Sequence, residues 1–126
     1  MSTSTRNDLR KVVLIVEDEP VLRMMAIDLV EDAGFEALTA NDAEEAIEIL
    51  QSRNDVRLIF TDIDMPGGRN RLMLAALVRD RWPPIGILIT SGKLSVADID
   101  MPVRSEFVSK PYRADAVAAM IERMTA

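Results

Sequence analysis

Unbroken apolar runs of about five residues are the feature that most constrains this chain. Val12-Val13-Leu14-Ile15-Val16 is one, the segment Val56 to Thr61 carries a second in Leu58-Ile59-Phe60, and Ile85 to Ile89 is a third. A strand with one wet face alternates polar and apolar residues; a strand covered on both faces does not need to. These runs therefore read as buried strands of a parallel sheet. Phe35 to Ala40 and Arg104 to Ser109 are weaker strand candidates of similar length.

Between the runs the apolar residues change to helical spacing. Pro20 opens one helix behind Glu17, Asp18 and Glu19, since Pro suits the first turn and acids suit its positive end. Leu22, Met25, Leu29 and Ala33 form its apolar stripe, and Gly34 stops it. Asn41 with Glu44 reads as the cap of a second helix, which turns Ala46, Ile47, Ile49 and Leu50 to a core. After Gly67-Gly68, a third helix carries Leu72, Leu74, Ala75, Leu77 and Val78 and ends at Trp82-Pro83-Pro84. Leu94 to Asp100 reads as a short helix capped by Ser95. Ala116, Val117, Met120, Ile121 and Met124 face the last helix inward. The eight methionines, Met24, Met25, Met120 and Met124 among them, read as core filler. Strands and helices in alternation imply βαβ units around a parallel sheet.

The 126 residues suffice for one domain with one core, residues 11–126, preceded by a flexible tail over residues 1–10. The apolar share of 48% and charged share of 29% suit a globular fold. A net charge of −6 argues against a nucleic-acid surface. No run approaches the roughly 18 residues of a membrane span, and the polar start lacks the apolar region of a secretory signal. Cysteine is absent, so disulfides and thiolate metal sites are excluded, which fits a cytoplasmic protein. Histidine is absent too. A His-dependent triad, a His zinc site and a phosphohistidine must all come from another molecule.

In an open parallel sheet, chemistry gathers beyond the carboxyl ends of the strands. The first strand ends in Glu17-Asp18, the third in Asp62, the fourth in Thr90-Ser91-Gly92 and the fifth in Lys110-Pro111. Three carboxylates brought together repel one another and raise each other's pKa, which a hard cation such as Mg²⁺ relieves. A Lys ammonium and a Thr hydroxyl suit phosphoryl oxygens. Aspartate is a nucleophile toward phosphoryl groups. The residues alone point to Mg²⁺-dependent phosphorylation of one aspartate.

From about Val12 to Met124 the chain resembles the receiver domains of two-component response regulators. The resemblance rests on Glu17-Asp18, on Asp62-Ile63-Asp64-Met65-Pro66, on Thr90-Ser91-Gly92 and on Lys110-Pro111, in that order and each after an apolar strand. It implies an α/β, flavodoxin-like, doubly wound sheet of five parallel strands in the order 2-1-3-4-5, with helices on both faces. It implies Asp62 as phosphoacceptor and Mg²⁺ held by Asp18, Asp62 and the backbone carbonyl of Asp64, with Glu17 acting through water. Thr90 and Lys110 would hold the phosphoryl group, the Lys110–Pro111 bond would be cis, and Phe107 would switch together with Thr90. The donor would be a sensor histidine kinase or a histidine phosphotransfer protein, which supplies the histidine this chain lacks. A stand-alone regulator of this type signals by docking to a target protein or by passing phosphate on. It is not a classical enzyme, though it promotes its own phosphorylation and slow dephosphorylation.

The chain departs from that pattern after Met65-Pro66, where Asn70-Arg71 stands in place of the Asp-Gly of many receivers. The Asp64 side chain would change water attack on the phosphoryl group. Two other functions compete. Asp62 and Asp64 also resemble the nucleophile and acid/base of haloacid-dehalogenase-type phosphatases, although Pro66 replaces the usual Thr and that motif normally opens its fold. A receiver-like module that is never phosphorylated is the other.

Overall fold

The computed structural model describes residues 11–63, 68–93 and 104–126. Five strands form one sheet: β1 (Val12–Val16), β2 (Glu36–Ala40), β3 (Val56–Asp62), β4 (Gly86–Ser91) and β5 (Ser105–Ser109). All neighbours are parallel, in the order β2-β1-β3-β4-β5. The described helices are α1 (Pro20–Asp32), α2 (Ala43–Ser52), α3 (Gly68–Arg81) and α4 (Ala114–Met124). The expected architecture is present, and the central strands β1, β3 and β4 are the three unbroken apolar runs.

Those runs are unbroken because each alternate residue serves a different core. Val12, Leu14, Val16, Ile59, Ile87 and Ile89 pack on one face with Ala46 and Leu50 of α2 and Leu74, Ala75 and Val78 of α3. Val13, Ile15, Leu58, Phe60 and Leu88 pack on the other with Ala26 and Val30 of α1 and Val117 and Ile121 of α4. Side chains leave a strand in alternation, so two covered faces demand apolar residues at every position.

Local chemistry explains the helix ends. Glu19 caps α1 through its carboxylate, which accepts from the N–H groups of Val21 and Leu22 at 3.2 and 2.9 Å, with Pro20 in the first turn. At the other end Phe35 N–H donates to Val30 O at 3.2 Å and Gly34 N–H to Glu31 O at 3.0 Å. This is a Schellman ending, with Gly34 at φ +95° supplying the left-handed residue it needs. Val30 and Phe35 are both buried, which closes the motif with an apolar contact.

Several sequence expectations are corrected. α1 does not bury Leu22 and Met25; they are 40% and 61% exposed, and Ala26 and Val30 point inward instead. Apolar residues occur almost all around this helix, so spacing alone could not choose the inward face. Small Ala26 allows close approach to the sheet. Met24 and Met25 are therefore surface residues, while Met120 and Met124 are partly buried against the core as expected. The cap of α2 is Asp42, whose carboxylate accepts from Glu45 N–H at 2.8 Å, one residue later than the Asn41–Glu44 pairing. Glu45 in turn accepts from Asn41 N–H at 2.6 Å, so the reciprocal logic holds with shifted partners. Gly68 already belongs to α3 rather than to a turn, and Ala116 of α4 is exposed. The expected tail over residues 1–10, Asp64 and the expected short helix Leu94 to Asp100 lie outside the described residues. Among the described residues no helix is long and apolar enough to cross a membrane.

Candidate functional site

Strand periodicity selects the side chains that meet at the carboxyl edge of the sheet. Glu17 follows Val13 and Ile15 in parity, Asp62 follows Leu58 and Phe60, Thr90 follows Leu88, and Lys110 follows Val108. These six preceding residues are core residues of the α1/α4 face or, in Val108, packed against it. All four functional residues should therefore emerge on that one face. They do: Glu17, Asp62, Thr90 and Lys110 line a single cavity with Leu22, Met25, Ala26, Phe60 and Tyr112. Asp18 has the opposite parity. It is exposed and lies outside that lining.

Backbone bonds carry the sheet one step past each strand and so hold the site. Glu17 N–H donates to Ala40 O at 3.0 Å, Ile63 N–H to Thr90 O at 3.1 Å and Lys110 N–H to Ser91 O at 2.9 Å. Asp62 and Thr90 are register partners across β3 and β4. The Lys110–Pro111 peptide is cis, as expected.

Asp62 is 5% exposed and its carboxylate is ion-paired with the Lys110 ammonium. Such a counter-charge offsets the cost of placing a charged group away from water. Glu17 is buried beside it. Burial pushes the Glu17 carboxyl above its ordinary value; the hydrogen bond from Glu19 N–H opposes this, the Asp62 charge adds to it, and Lys110 opposes it. The Tyr112 phenol is pushed up chiefly by burial, against the effect of Lys110 and with that of Asp62 and Glu17. Its ring stands 6.3 Å from that of Phe60, tilted by 55°. Tyr112 is a site residue that the strand-end reading missed. An aromatic two positions after Lys110, at the start of the turn into α4, was the available signal.

Thr90 is 3% exposed, and its hydroxyl has no hydrogen-bond partner among the described residues. A buried hydroxyl left unmatched costs roughly 1–3 kcal/mol. One that lines a cavity with a carboxylate and an ammonium is a donor held ready for an oxygen-rich ligand. Phe107 lies on the opposite face of the sheet from Thr90. It is the register partner of Ile89 and packs, half-buried, on the α2/α3 core.

The same residues bear on a metal ion. Glu17, Asp18 and Asp62 offer only hard oxygen donors, which suits Mg²⁺, and Glu17 is raised first by its burial and to a lesser extent by the Asp62 charge. Among the described residues, no three acidic side chains stand close enough together to hold a metal ion, and Asp18 is exposed while Glu17 and Asp62 are buried.

Comparison with known proteins bears on the family and the fold. The family model for the response regulator receiver domain matches residues 13–122. The nitrogen assimilation regulatory protein NtrX of Azorhizobium caulinodans is 30% identical over 115 residues, which are 88% of this chain and 25% of that protein. The aerobic respiration control protein ArcA of Escherichia coli is 30% identical over 103 residues, 79% of this chain and 42% of that protein. The chain thus spans less than half the length of either. Among solved structures, the response regulator TrrA from Thermotoga maritima, in complex with Mg²⁺ and BeF, superposes with a TM-score of 0.72 at 28% identity. That match covers 90% of this chain and 98% of TrrA. Chemotaxis protein CheY4 of Vibrio cholerae shares the fold, with a TM-score of 0.76 at 23% identity, over 91% of this chain and 98% of that one.

Proposed function

The chain belongs to the response regulator receiver domains of two-component systems, and we propose that Asp62 accepts a phosphoryl group from a phosphohistidine on a partner kinase or phosphotransfer protein. The observation that carries this reading is the buried Asp62 carboxylate, paired with Lys110 and in register with the unmatched hydroxyl of Thr90.

An Asp62 carboxylate oxygen attacks phosphorus as the phosphorus–nitrogen bond to the donor imidazole breaks. Lys110 then exchanges part of its contact with Asp62 for a phosphoryl oxygen, which it holds as a point charge. The Thr90 hydroxyl donates to another phosphoryl oxygen and gains the partner it lacks. Glu17, buried and crowded, adds negative charge at the cavity. Mg²⁺, held by Asp18 and Asp62 with Glu17 through water and the Asp64 carbonyl, would neutralise charge on the transferred group. Phe107 is the proposed relay on the other face: movement of Thr90 at β4 reaches it through its neighbour Ile89. The output is a changed docking surface for a target protein, or onward transfer of phosphate.

Incubation with acetyl phosphate and Mg²⁺, followed by intact mass measurement, tests the reading. One added phosphoryl group is expected, lost in Asp62→Asn. No adduct would favour an inert module, and sustained turnover of small phosphate esters would favour a phosphatase.

A further inference from the structure

The lip of the Asp62 cavity carries a side chain that the phosphoryl chemistry does not use. Met25 lines the cavity together with Asp62, Thr90, Lys110 and Tyr112, yet it is 61% exposed. Its neighbours on the first two turns of α1 are exposed too: Val21, Leu22 and Met24. Met25 is thus both largely exposed and part of the lining of the cavity that holds Asp62. The chain holds no cysteine and no histidine, so methionine is its main side chain open to mild two-electron oxidation. Among the described residues, the other methionines differ in placement. Met24 and Met73 are equally exposed but lie outside the cavity lining, and Met120 and Met124 are partly buried in the core.

We propose that Met25 is a peroxide-sensitive modification site whose oxidation slows phosphoryl acceptance at Asp62, an inference that rests on the receiver reading above. The thioether sulfur attacks one oxygen of hydrogen peroxide. The O–O bond breaks, a sulfur–oxygen bond forms and water leaves, so sulfur loses two electrons and peroxide gains them. The product replaces a flexible apolar group by a polar one with a strong acceptor oxygen. Two consequences follow inside this cavity. The sulfoxide oxygen competes for the donors that line it, Lys110 first, since a charged donor makes the stronger bond. The apolar lip formed by Leu22, Met25 and Ala26 also hydrates, and admitted water weakens the charge interactions around Asp62.

The test treats the full chain with hydrogen peroxide, maps sulfoxides by peptide mass, and measures the rate of phosphoryl uptake from acetyl phosphate with Mg²⁺. Wild type, Met25→Leu and Met73→Leu are each compared before and after treatment, because Leu keeps the volume but cannot form a sulfoxide. Oxidised wild type is expected to be roughly fivefold slower or more, the size of one weakened charged hydrogen bond at the reacting group. Met25→Leu should lose this sensitivity and Met73→Leu should keep it. Methionine sulfoxide reductases should restore the wild-type rate. The proposal is overturned if Met25 sulfoxide forms without slowing uptake, if Met25→Leu remains as sensitive as wild type, if Met73 oxidises while Met25 resists, or if reductase treatment restores nothing. Untreated protein that takes no phosphoryl group overturns the receiver reading and this one together; normal uptake that is indifferent to Met25 oxidation overturns this one alone.

Discussion

The two ends of the sheet handle their polar groups in opposite ways. At the amino end, Arg79 of α3 donates to the carbonyls of Pro83, of Ile85 at 2.8 Å and of Arg104 at 3.2 Å. Arg104 donates to Pro83 O at 3.3 Å, and its own backbone sits at φ +63°, an unusual conformation for a residue other than glycine. There, the carbonyls of Pro83, Ile85 and Arg104 are matched with donors, although burial and the nearby Arg104 push Arg79 below its ordinary pKa. At the carboxyl end, Glu17 is raised and the buried Thr90 hydroxyl has no partner. One end uses its charge to hold the chain. Ser105 at the amino end also keeps a buried hydroxyl without a partner among the described residues, so what sets the carboxyl end apart is that its unmatched hydroxyl lines a cavity with a carboxylate and an ammonium, the arrangement expected where stability is exchanged for binding.

Four substitutions probe this division. The largest effect is expected from Lys110→Ala, which should slow phosphoryl uptake from acetyl phosphate by about 100-fold, the usual loss when one preorganised charge is removed. It should also lower stability, since Asp62 keeps its burial and loses its counter-charge. An unchanged uptake rate would remove Lys110 from the site. Arg79→Ala should lower the unfolding free energy by roughly 2–3 kcal/mol in urea melts, as hydrogen bonds from a charged donor are lost, while uptake at Asp62 stays as it was. The reverse pattern, normal melting with slow uptake, would erase the contrast between the two ends. Thr90→Val removes the unmatched hydroxyl and should raise the unfolding free energy by about 1 kcal/mol, yet slow phosphoryl uptake. Calorimetry showing a destabilised Thr90→Val would mean that the hydroxyl has a partner in solution. Thr61 offers a control, because its buried hydroxyl is also unmatched but its parity points away from the cavity.

Glu17→Gln should show the smallest effect, and its sign depends on pH. A carboxyl raised by folding binds its proton more tightly in the folded chain. Its ionisation therefore opposes folding above the raised value, and this penalty disappears below the ordinary value of 4.5. Glu17→Gln should melt higher than wild type at neutral pH, and the gain should fade as pH drops toward 4.5. A gain that persists at low pH would come from something other than charge.

Much of this site was legible before any fold was seen, for a reason that begins in the backbone. Glu17, Asp62 and Thr90 each follow an apolar run and Lys110 follows a weaker strand candidate, and parallel strands bring such ends to one edge. Asp18 adjoins Glu17 in the chain, yet it is exposed and outside the cavity lining, a difference that strand-end adjacency does not reveal. Met25 illustrates a different failure. Val21, Leu22, Met24, Met25, Ala26, Ile27, Leu29 and Val30 leave α1 without a single polar face, so several rotations of the helix satisfy its spacing. Tyr112 was overlooked because its place in the site depends on the turn from Lys110 into α4 and on the ring of Phe60.

The sequence by itself determined the parallel α/β class, the order of elements and the carboxyl edge as the place for chemistry. Apolar periodicity and strand-end polarity are local properties, and they are written residue by residue. The tertiary structure alone decided which face each strand end serves, how α1 is rotated on the sheet and which hydroxyl stays without a partner. Those depend on register between distant segments and on packing volume, quantities that exist only once the segments meet.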